Sequence, residues 1–254
     1  MTEANETTKT EEELAEMIAE TESGARNPTG AFPKKILFFV PLIWTMFQLW
    51  YASPLPFLFN FFVINDTEAR AIHLAFAVFL AFTAFPTFKK SPTKYIPVQD
   101  WILGLFGAFC SAYLYLFYAA LADRPGLPTQ MDLIVSVAGM ILLLEATRRA
   151  LGPPLMVVAT VFITYTFGGQ FMPEVIAHKG ASLVKGMSHY WLGTEGVFGV
   201  ALGVSTGMVF MFVLFGAMLE SAGAGNYFIR TSFAALGHLK GGPAKAAVVS
   251  SGLT

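Results

Sequence analysis

Cysteine and charge are the two things that this sequence has little of. Cys110 is the single cysteine in 254 residues, so neither an internal disulfide nor a multi-cysteine metal site can hold the fold together. Only 13% of the residues are charged and 55% are hydrophobic, which does not suit a surface exposed to water. A net charge of -1 also leaves no broad basic face for nucleic acid. The composition therefore indicates an integral membrane protein.

The acidic residues are unevenly distributed along the chain. Eight of the 17 lie among residues 1–22, and a cluster rich in Gly, Asn and Pro follows at 24–30. A secretory signal would begin with a basic stretch and continue with an apolar run, and this segment has neither. Strongly acidic, weakly apolar segments do not bury enough surface to fold. We therefore predict that residues 1–33 form an acidic, disordered cytoplasmic tail.

From Lys34 onward, apolar runs that approach the roughly 20 residues needed to cross a bilayer alternate with polar breaks. The runs lack the alternating polarity of barrel strands, so we predict an all-α polytopic membrane protein. The predicted spans are 36–53, 69–85, 99–122, 131–146, 154–172 and 196–219, and a seventh begins at Pro243. Three shorter stretches, at 54–65, 173–195 and 226–239, are predicted to lie in the membrane interface.

Lysine and arginine fall mainly on one side of these predicted helices. If the N-terminus is cytoplasmic, 12 of the 16 basic residues lie on the inner side. The four outer ones are Arg70, Arg124, Lys179 and Lys185. Because short loops rich in Lys and Arg stay in the cytoplasm, we predict a cytoplasmic N-terminus. Trp50/Tyr51 and Tyr190/Trp191 then fall at outer helix ends, where aromatic anchors are common.

Two enzyme motifs are matched in letters but not in context. Residues 203–207 read G-x-S-x-G, yet they lie inside an apolar helix, and Glu220 is the one acid that follows them. Gly237 and Gly242 have the spacing of a phosphate-binding loop, but Pro243 stands where that motif requires lysine. The sequence therefore predicts neither a hydrolase nor an ATPase, and we predict that the protein is not an enzyme.

The four histidines show no metal-binding pattern. They are His73, His178, His189 and His238. They are scattered along the chain, without the paired spacing that a zinc site needs. We therefore predict no metal site, and interfacial or hydrogen-bonded histidines instead.

Two acids within predicted spans need an explanation, because ionisable groups are costly in a membrane. Glu145 lies three and four residues before Arg148 and Arg149, which predicts a local salt bridge on one helix face. Glu220 ends the last complete predicted span. It is either an interfacial carboxylate or a group that takes part in the passage of ions or substrate.

Three glycines recur at four-residue intervals in the last complete predicted span. Gly199, Gly203 and Gly207 strip one helix face of side chains. This pattern predicts close packing against another helix, with a substrate-lining role as the alternative.

Four sequence blocks bear a family resemblance. They are ATRRALGP at 146–153, SHYWLGTEGVFG at 188–199, FMFVLFGAMLESAGAG at 210–225 and GHLKGGPAKAAVVSSGL at 237–253. In order and spacing they resemble the fused membrane subunit of a tripartite ATP-independent periplasmic (TRAP) transporter, of the type that works with TAXI-class binding proteins. The resemblance covers about residues 34–254. It implies a four-helix domain similar to the small subunit at 34–148, and the start of a permease domain similar to the large subunit at 149–254.

The resemblance also implies a function. In this family, the permease in the bacterial inner membrane carries an organic anion such as a dicarboxylate together with sodium, and a periplasmic binding protein delivers the substrate. The sodium- and substrate-holding hairpin of the family would follow the GGPAK stretch, where this sequence ends at Thr254. Ser250 and Ser251 would lie at its entrance and are weak ligand candidates. We therefore expect mainly the scaffold part of a longer permease, which needs its remainder to transport, with a non-transporting scaffold or assembly subunit as the alternative.

Overall fold

The computed structural model describes residues 24–88, 91–236 and 241–253. All regular secondary structure in these ranges is helical, which confirms the predicted all-α fold. The chain divides into two compact units, residues 1–206 and 207–254, and each is described by itself.

In the described residues, the first unit is built from five long helices and several short ones. They are α1 (Ala31–Ala52), α2 (Leu55–Phe59), α3 (Asp66–Ala84), α4 (Val98–Leu116), α5 (Tyr118–Ala122), α6 (Gln130–Leu151), α7 (Pro153–Gly168), α8 (Leu183–Tyr190) and α9 (Val200–Val204). A 3-10 turn, Gly169–Phe171, follows α7, and a π-helix, Ser205–Val209, follows α9. The second unit contains α10 (Phe210–Ser221), α11 (Ala224–Leu236) and α12 (Gly242–Leu253).

Local sequence explains where the central helices begin. Asn65 and Glu68 form a reciprocal capping box at the start of α3, and Thr129 and Asp132 form another at the start of α6. In each box two backbone N–H groups that the helix leaves unpaired are satisfied by side chains. Between α6 and α7, Gly152 adopts a φ of +88°, which ends one helix and allows the next to begin at once with prolines.

Five helical segments are long and apolar enough to cross a membrane. They are Ala31–Ala52, Asp66–Ala84, Gln130–Leu151, Pro153–Phe171 and Val200–Ser221. These correspond to five of the six predicted spans. The expected start of a further helix near Pro243 is present as α12.

The predicted third span, 99–122, differs from the other five. It breaks at Phe117 into α4 and α5, and composition does not mark either as a candidate span. Helix α4 turns Asp100 and Ser111 toward the protein interior, while Ile102 and Leu105 of the same helix are exposed. Asp100 contacts Arg149 at the end of α6, and Tyr113 contacts Asp132 at its beginning. Helix α4 therefore runs antiparallel to α6 between the same two ends of the bundle.

The predicted disordered tail does not hold for residues 24–33. Helix α1 begins at Ala31, and the Arg26 side chain is fully buried against the end of α3. The Arg26 backbone N–H donates to the Ala84 carbonyl at 2.7 Å, and the Thr29 N–H donates to the Lys94 carbonyl at 2.9 Å. This segment is ordered because buried carbonyl and carboxylate oxygens need its donors. Residues 1–23 lie outside the described residues.

The three segments predicted to lie in the membrane interface differ in structure. Residues 54–65 include the short helix α2, whose Phe57, Leu58 and Phe59 are exposed. Residues 226–236 lie in α11, and residues 237–239 lie outside the described residues. In the stretch 173–195, the expectation of an aromatic anchor at Trp191 is wrong.

Trp191 is instead a centre of the hydrophobic core. It is fully buried, its indole N–H donates to the Cys110 carbonyl at 3.2 Å, and its ring meets Phe198 edge to face at 5.5 Å. Gly139 of α6 leaves the room for this ring. Trp191 thus anchors the segment after α8 onto α4 and α6, since a large buried aromatic ring contributes strongly to packing.

We expect Gly139→Ala to destabilise the protein. A Cβ atom at this position would lie 2.2 Å from Trp191 Cζ2, so the ring must shift. Overpacking of this kind costs about 1–3 kcal/mol. The thermal midpoint of the purified protein in detergent measures the effect. Gly216→Ala is the matched control, because nothing in the described part of the chain lies within 4 Å of a Cβ there. Equal midpoints for the two variants would contradict the prediction.

Candidate functional site

The residues that the sequence predicts as candidates for ion or substrate binding lie in the second unit. Glu220 is exposed near the end of α10, and its carboxylate makes no hydrogen bond or ion pair within the described ranges. Ser251 is exposed on α12. Ser250 is also on α12, but its side chain lies outside the described set. No contact brings Glu220 and Ser251 together among the described residues, so their proposed role stays a prediction.

The three glycines have three different environments. Gly199 precedes α9, and a Cβ there would meet the Gly196 carbonyl at 2.8 Å. Gly203 faces the guanidinium of Arg70, also at 2.8 Å from the Cβ position, and Arg70 donates to the Phe198 carbonyl at 3.1 Å. Gly207 lies in the π-helix with nothing described within 4 Å of a Cβ. Close packing is therefore present at Gly203, but its neighbour is an arginine side chain and not a helix backbone.

A buried polar cluster joins α1, α3 and the π-helix. Gln48 of α1 is completely buried, and its amide nitrogen lies 3.1 Å from His73 Nδ1. The same nitrogen donates to the Thr206 carbonyl. Ser205 Oγ lies 3.4 Å from His73 Nε2. Polar side chains inside a membrane span are rare and mark functional or structural contact points, so we treat this cluster as the candidate site of the first unit.

The hydrogen bonds fix the tautomer of His73. Trp44 Nε1 lies 3.2 Å from His73 Nδ1, and an indole N–H is only a donor. The Gln48 amide nitrogen is also a donor, because its other partner is a carbonyl oxygen. We therefore assign an unprotonated Nδ1 and a proton on Nε2, which faces Ser205. Trp44 and Gln48 then share the single lone pair of His73 Nδ1 as donors.

The π-helix gives this cluster its backbone acceptor. A π-helix interrupts the regular ladder of an α-helix and is frequent at functional sites. Here the Thr206 carbonyl accepts from Gln48, while the Thr206 hydroxyl donates back to the Leu202 carbonyl at 2.7 Å. In a membrane, where water does not satisfy backbone groups, such a partner stabilises the irregular turn. The cluster therefore holds Ser205 and Thr206, the first two residues of the π-helix, against α1 and α3.

A second polar centre lies at the other end of the bundle, where α3 and α6 end and α4 begins. The Asp100 carboxylate is fully buried and pairs with Arg26 and with Arg149, the latter at 2.8 Å. Arg26 also donates to the carbonyls of Phe82 and Thr83 at the end of α3. Two guanidinium groups on one buried carboxylate supply the charge-assisted hydrogen bonds that its desolvation requires.

The predicted salt bridge of Glu145 belongs to the same centre and is confirmed. Its carboxylate accepts from Arg148 at 2.7 Å and from Arg149 at 2.8 Å. Arg148 also donates to the Thr87 carbonyl at 2.9 Å, which ties the loop after α3 to α6. The network thus joins the C-terminal ends of α3 and α6, the N-terminal end of α4 and the segment before α1.

A third polar centre surrounds Asp132 where α6 begins. Asp132 is fully buried and accepts from the Tyr113 hydroxyl at 2.6 Å and from the Thr129 N–H at 2.7 Å. Arg124 pairs with it at 3.1 Å from the connection between α5 and α6. The arrangement joins α4, α6 and this connection.

Several of these residues were missed by the sequence reasoning. The apolar pattern places three polar residues within or beside predicted spans without marking them as a site. They are Gln48, Asp100 and Asp132. That placement is itself a signal, because a membrane-embedded polar group needs a partner. Arg149 and Arg26 lie 49 and 74 residues from Asp100, and Thr206 lies 158 residues from Gln48, so spacing along the chain does not reveal these partners.

Metal binding finds no support within the described ranges. No group of three or more His, Cys, Asp or Glu side chains that could hold a metal ion occurs there. His178 contacts the backbone around the end of α7, with Nε2 3.0 Å from the Tyr165 carbonyl and Nδ1 accepting from the Gly180 N–H.

The helical fold and the apolar spans define the class of protein first. It is a multi-pass α-helical membrane protein in which the buried carboxylates Asp100 and Asp132 pair with arginines. No curated protein and no solved structure matches the chain.

A family model then identifies the C-terminal part. Residues 138–254 match the tripartite ATP-independent periplasmic transporter, DctM component. This part of the chain is similar to the permease component of TRAP transporters. The match begins within α6, before residue 149 where we placed the start of the permease domain.

We expect Gln48→Glu to destabilise the protein. A carboxylate would place oxygen against two acceptors, the Thr206 carbonyl and His73 Nδ1, and would lose the amide donor. A lost buried hydrogen bond with unsatisfied partners costs about 1–3 kcal/mol. Thermal unfolding in detergent measures the change. Gln170→Glu makes the same substitution at an exposed position and serves as the control. The prediction fails if both variants unfold at the same temperature.

Arg26→Gln is expected to weaken the network at Asp100. The substitution removes one of two cations from a fully buried carboxylate, and breaking a buried pair costs about 3 kcal/mol. Lys35→Gln removes a positive charge from an exposed site in the first turns of α1 and should leave stability nearly unchanged. Urea or thermal unfolding of both variants gives the comparison. A loss no larger than that of Lys35→Gln would show that Arg26 contributes little.

Proposed function

We propose that the protein is a permease component of a sodium-driven secondary transporter for small organic anions, such as dicarboxylates. The match of residues 138–254 to the TRAP transporter permease family carries this proposal. The sequence supports it further, because no ATP-binding motif supplies energy and an ion gradient is the alternative source.

In this proposal the first unit is the static part of the transporter. Its polar groups pair with one another at both ends of the bundle and at Gln48, so moving its helices apart would expose several buried charges. A rigid brace of this kind suits a transporter in which another part moves. Broken helices and exposed polar residues near the membrane, as at Glu220, are the features expected of the part that handles ions and substrate.

The proposed partners follow from the same family. They are a periplasmic solute-binding protein, of the TAXI class, the lipid bilayer and the remainder of the permease. We propose the bacterial inner membrane as the location, with the N-terminus in the cytoplasm and sodium as the coupling ion.

The alternative is a scaffold or assembly subunit that does not itself transport. It is favoured by one observation, since the Asp100 and Asp132 carboxylates of the first unit are buried and paired with arginines. The two functions differ in whether the Glu220 carboxylate is required for uptake of the organic anion.

Uptake by cells tests the proposal. We expect deletion of the gene to abolish sodium-dependent uptake of at least one labelled acid among succinate, malate, fumarate and 2-oxoglutarate, and the intact gene to restore it. Replacing sodium with choline should have the same effect as the deletion, because the gradient drives transport. Uptake that is unchanged by the deletion for the whole panel would overturn the proposal.

The same assay separates the two functions through Glu220. Complementation with Glu220→Gln is expected to lower uptake at least tenfold at an unchanged protein level if this carboxylate takes part in ion or substrate passage. Glu174→Gln changes another exposed carboxylate and is the matched control. Full uptake by Glu220→Gln would favour the scaffold function for this chain.

A further inference from the structure

Three exposed lysines form a basic surface at the end of the first unit where α1 and α4 begin. They are Lys34 and Lys35 in the first turns of α1, and Lys94 in the segment before α4. The Thr29 N–H donates to the Lys94 carbonyl at 2.9 Å, which holds the segment before α1 beside the segment before α4. The tertiary structure therefore brings lysines from two distant parts of the chain to the same end of the bundle.

The carboxylates of the polar centre at this end do not neutralise the basic surface. Asp100 is fully buried and pairs with Arg26 and Arg149. Glu145 pairs with Arg148 and Arg149. Within residues 24–88, 91–236 and 241–253, none of the three lysines forms an ion pair. The basic surface is therefore available to an anion from outside this part of the chain.

Exposed apolar side chains accompany the lysines in the same two segments. Phe32, Tyr95 and Val98 are all exposed. The Phe32 ring lies 5.8 Å from the ring of Trp101 in α4, so the starts of α1 and α4 are in contact. Lysines mixed with aromatic residues are typical of the headgroup region of a membrane. A small soluble anion would contact only the lysines, whereas a lipid contacts the lysines and the apolar side chains together.

The acidic residues 1–22 are a second possible occupant. This segment carries eight acids and one lysine, and it joins the first unit shortly before the buried Arg26. Its charge is complementary to the basic surface. It is weakly apolar, however, and offers little to cover Phe32, Tyr95 and Val98. Charge alone fits both occupants, and the exposed apolar side chains favour lipid.

We propose that the basic surface binds the phosphate groups of anionic lipids. Lysine binds phosphate as a compact point charge with three donors, and basic residues beside a membrane-spanning helix attract anionic headgroups. Phe32, Tyr95 and Val98 then contact the glycerol and the upper part of the acyl chains. The inference gives the bilayer partner a lipid class. Only its assignment to the cytoplasmic leaflet rests on the orientation in the proposed function.

Native mass spectrometry of the purified full chain in a neutral detergent tests the proposal. Phosphatidylglycerol and phosphatidylcholine with the same acyl chains are titrated separately. Because one lysine near anionic lipid contributes about fivefold to affinity, we expect phosphatidylglycerol to bind at least about fivefold more tightly than phosphatidylcholine. The double variant Lys34→Gln/Lys94→Gln should lose at least about fivefold of the affinity for phosphatidylglycerol.

Lys179→Gln/Lys185→Gln is the matched control, because it also replaces two exposed lysines, in α8 and the segment before it. It should bind phosphatidylglycerol as the unaltered chain does. All four replaced side chains are exposed, so both double variants are expected to keep the thermal midpoint of the unaltered chain. Equal affinities of the unaltered chain for the two lipids would overturn the proposal. An equal loss in the two double variants would also overturn it.

Two further titrations distinguish the other occupants. Glycerol phosphate carries the headgroup charge without acyl chains, and its displacement of the lipid at equal concentration would assign the surface to a soluble phosphate. Replacing Glu11, Glu12, Glu13 and Glu16 with glutamine should leave the affinity for phosphatidylglycerol nearly unchanged. A gain as large as the loss expected for Lys34→Gln/Lys94→Gln would assign the surface to residues 1–22. Either assignment overturns the proposal. No gradient, orientation or uptake enters these measurements, so their failure is distinct from a failure of transport.

Discussion

The buried carboxylate of Asp100 is the group on which one whole end of the bundle depends. It lies in the first turn of α4, has no contact with water, and is paired with Arg26 and Arg149 from two distant parts of the chain. A charge in that position is tolerated only when it is paired and hydrogen-bonded. The requirement fixes the end of α6, the segment before α1 and, through the Phe82 and Thr83 carbonyls, the end of α3. Helix positions there follow from charge pairing as much as from apolar packing.

The same constraint operates at two other levels of the first unit. At the opposite end of the bundle, Asp132 pairs with Tyr113, Arg124 and Thr129. Between the two ends, Gln48 and His73 contact Thr206 and Ser205 at the start of the π-helix. Apolar surface alone holds helices together weakly within lipid, since lipid chains are as apolar as leucine. Paired polar groups give these contacts their specificity. The ring of Trp191 packs against Gly139, and its indole N–H donates to the Cys110 carbonyl, which joins the region matched by the family model to a helix that precedes it.

The two units support different parts of the proposed transport. The first is internally paired and has the properties of a static brace. The second carries Glu220 and Ser251 as exposed polar residues on apolar helices.

The sequence by itself determined the membrane class, the all-α fold, most helix positions and the family, because these depend on local apolar length and on contiguous motifs. It also predicted the Glu145 pair, whose partners lie within one helical turn. Only the tertiary structure decided that Arg26 is buried, that α4 turns Asp100 toward the interior and that Trp191 belongs to the core. It alone joined Gln48 to Thr206. These outcomes depend on pairing between residues that are far apart in the chain. A local pattern of apolar or acidic residues does not specify which distant partner a polar group contacts.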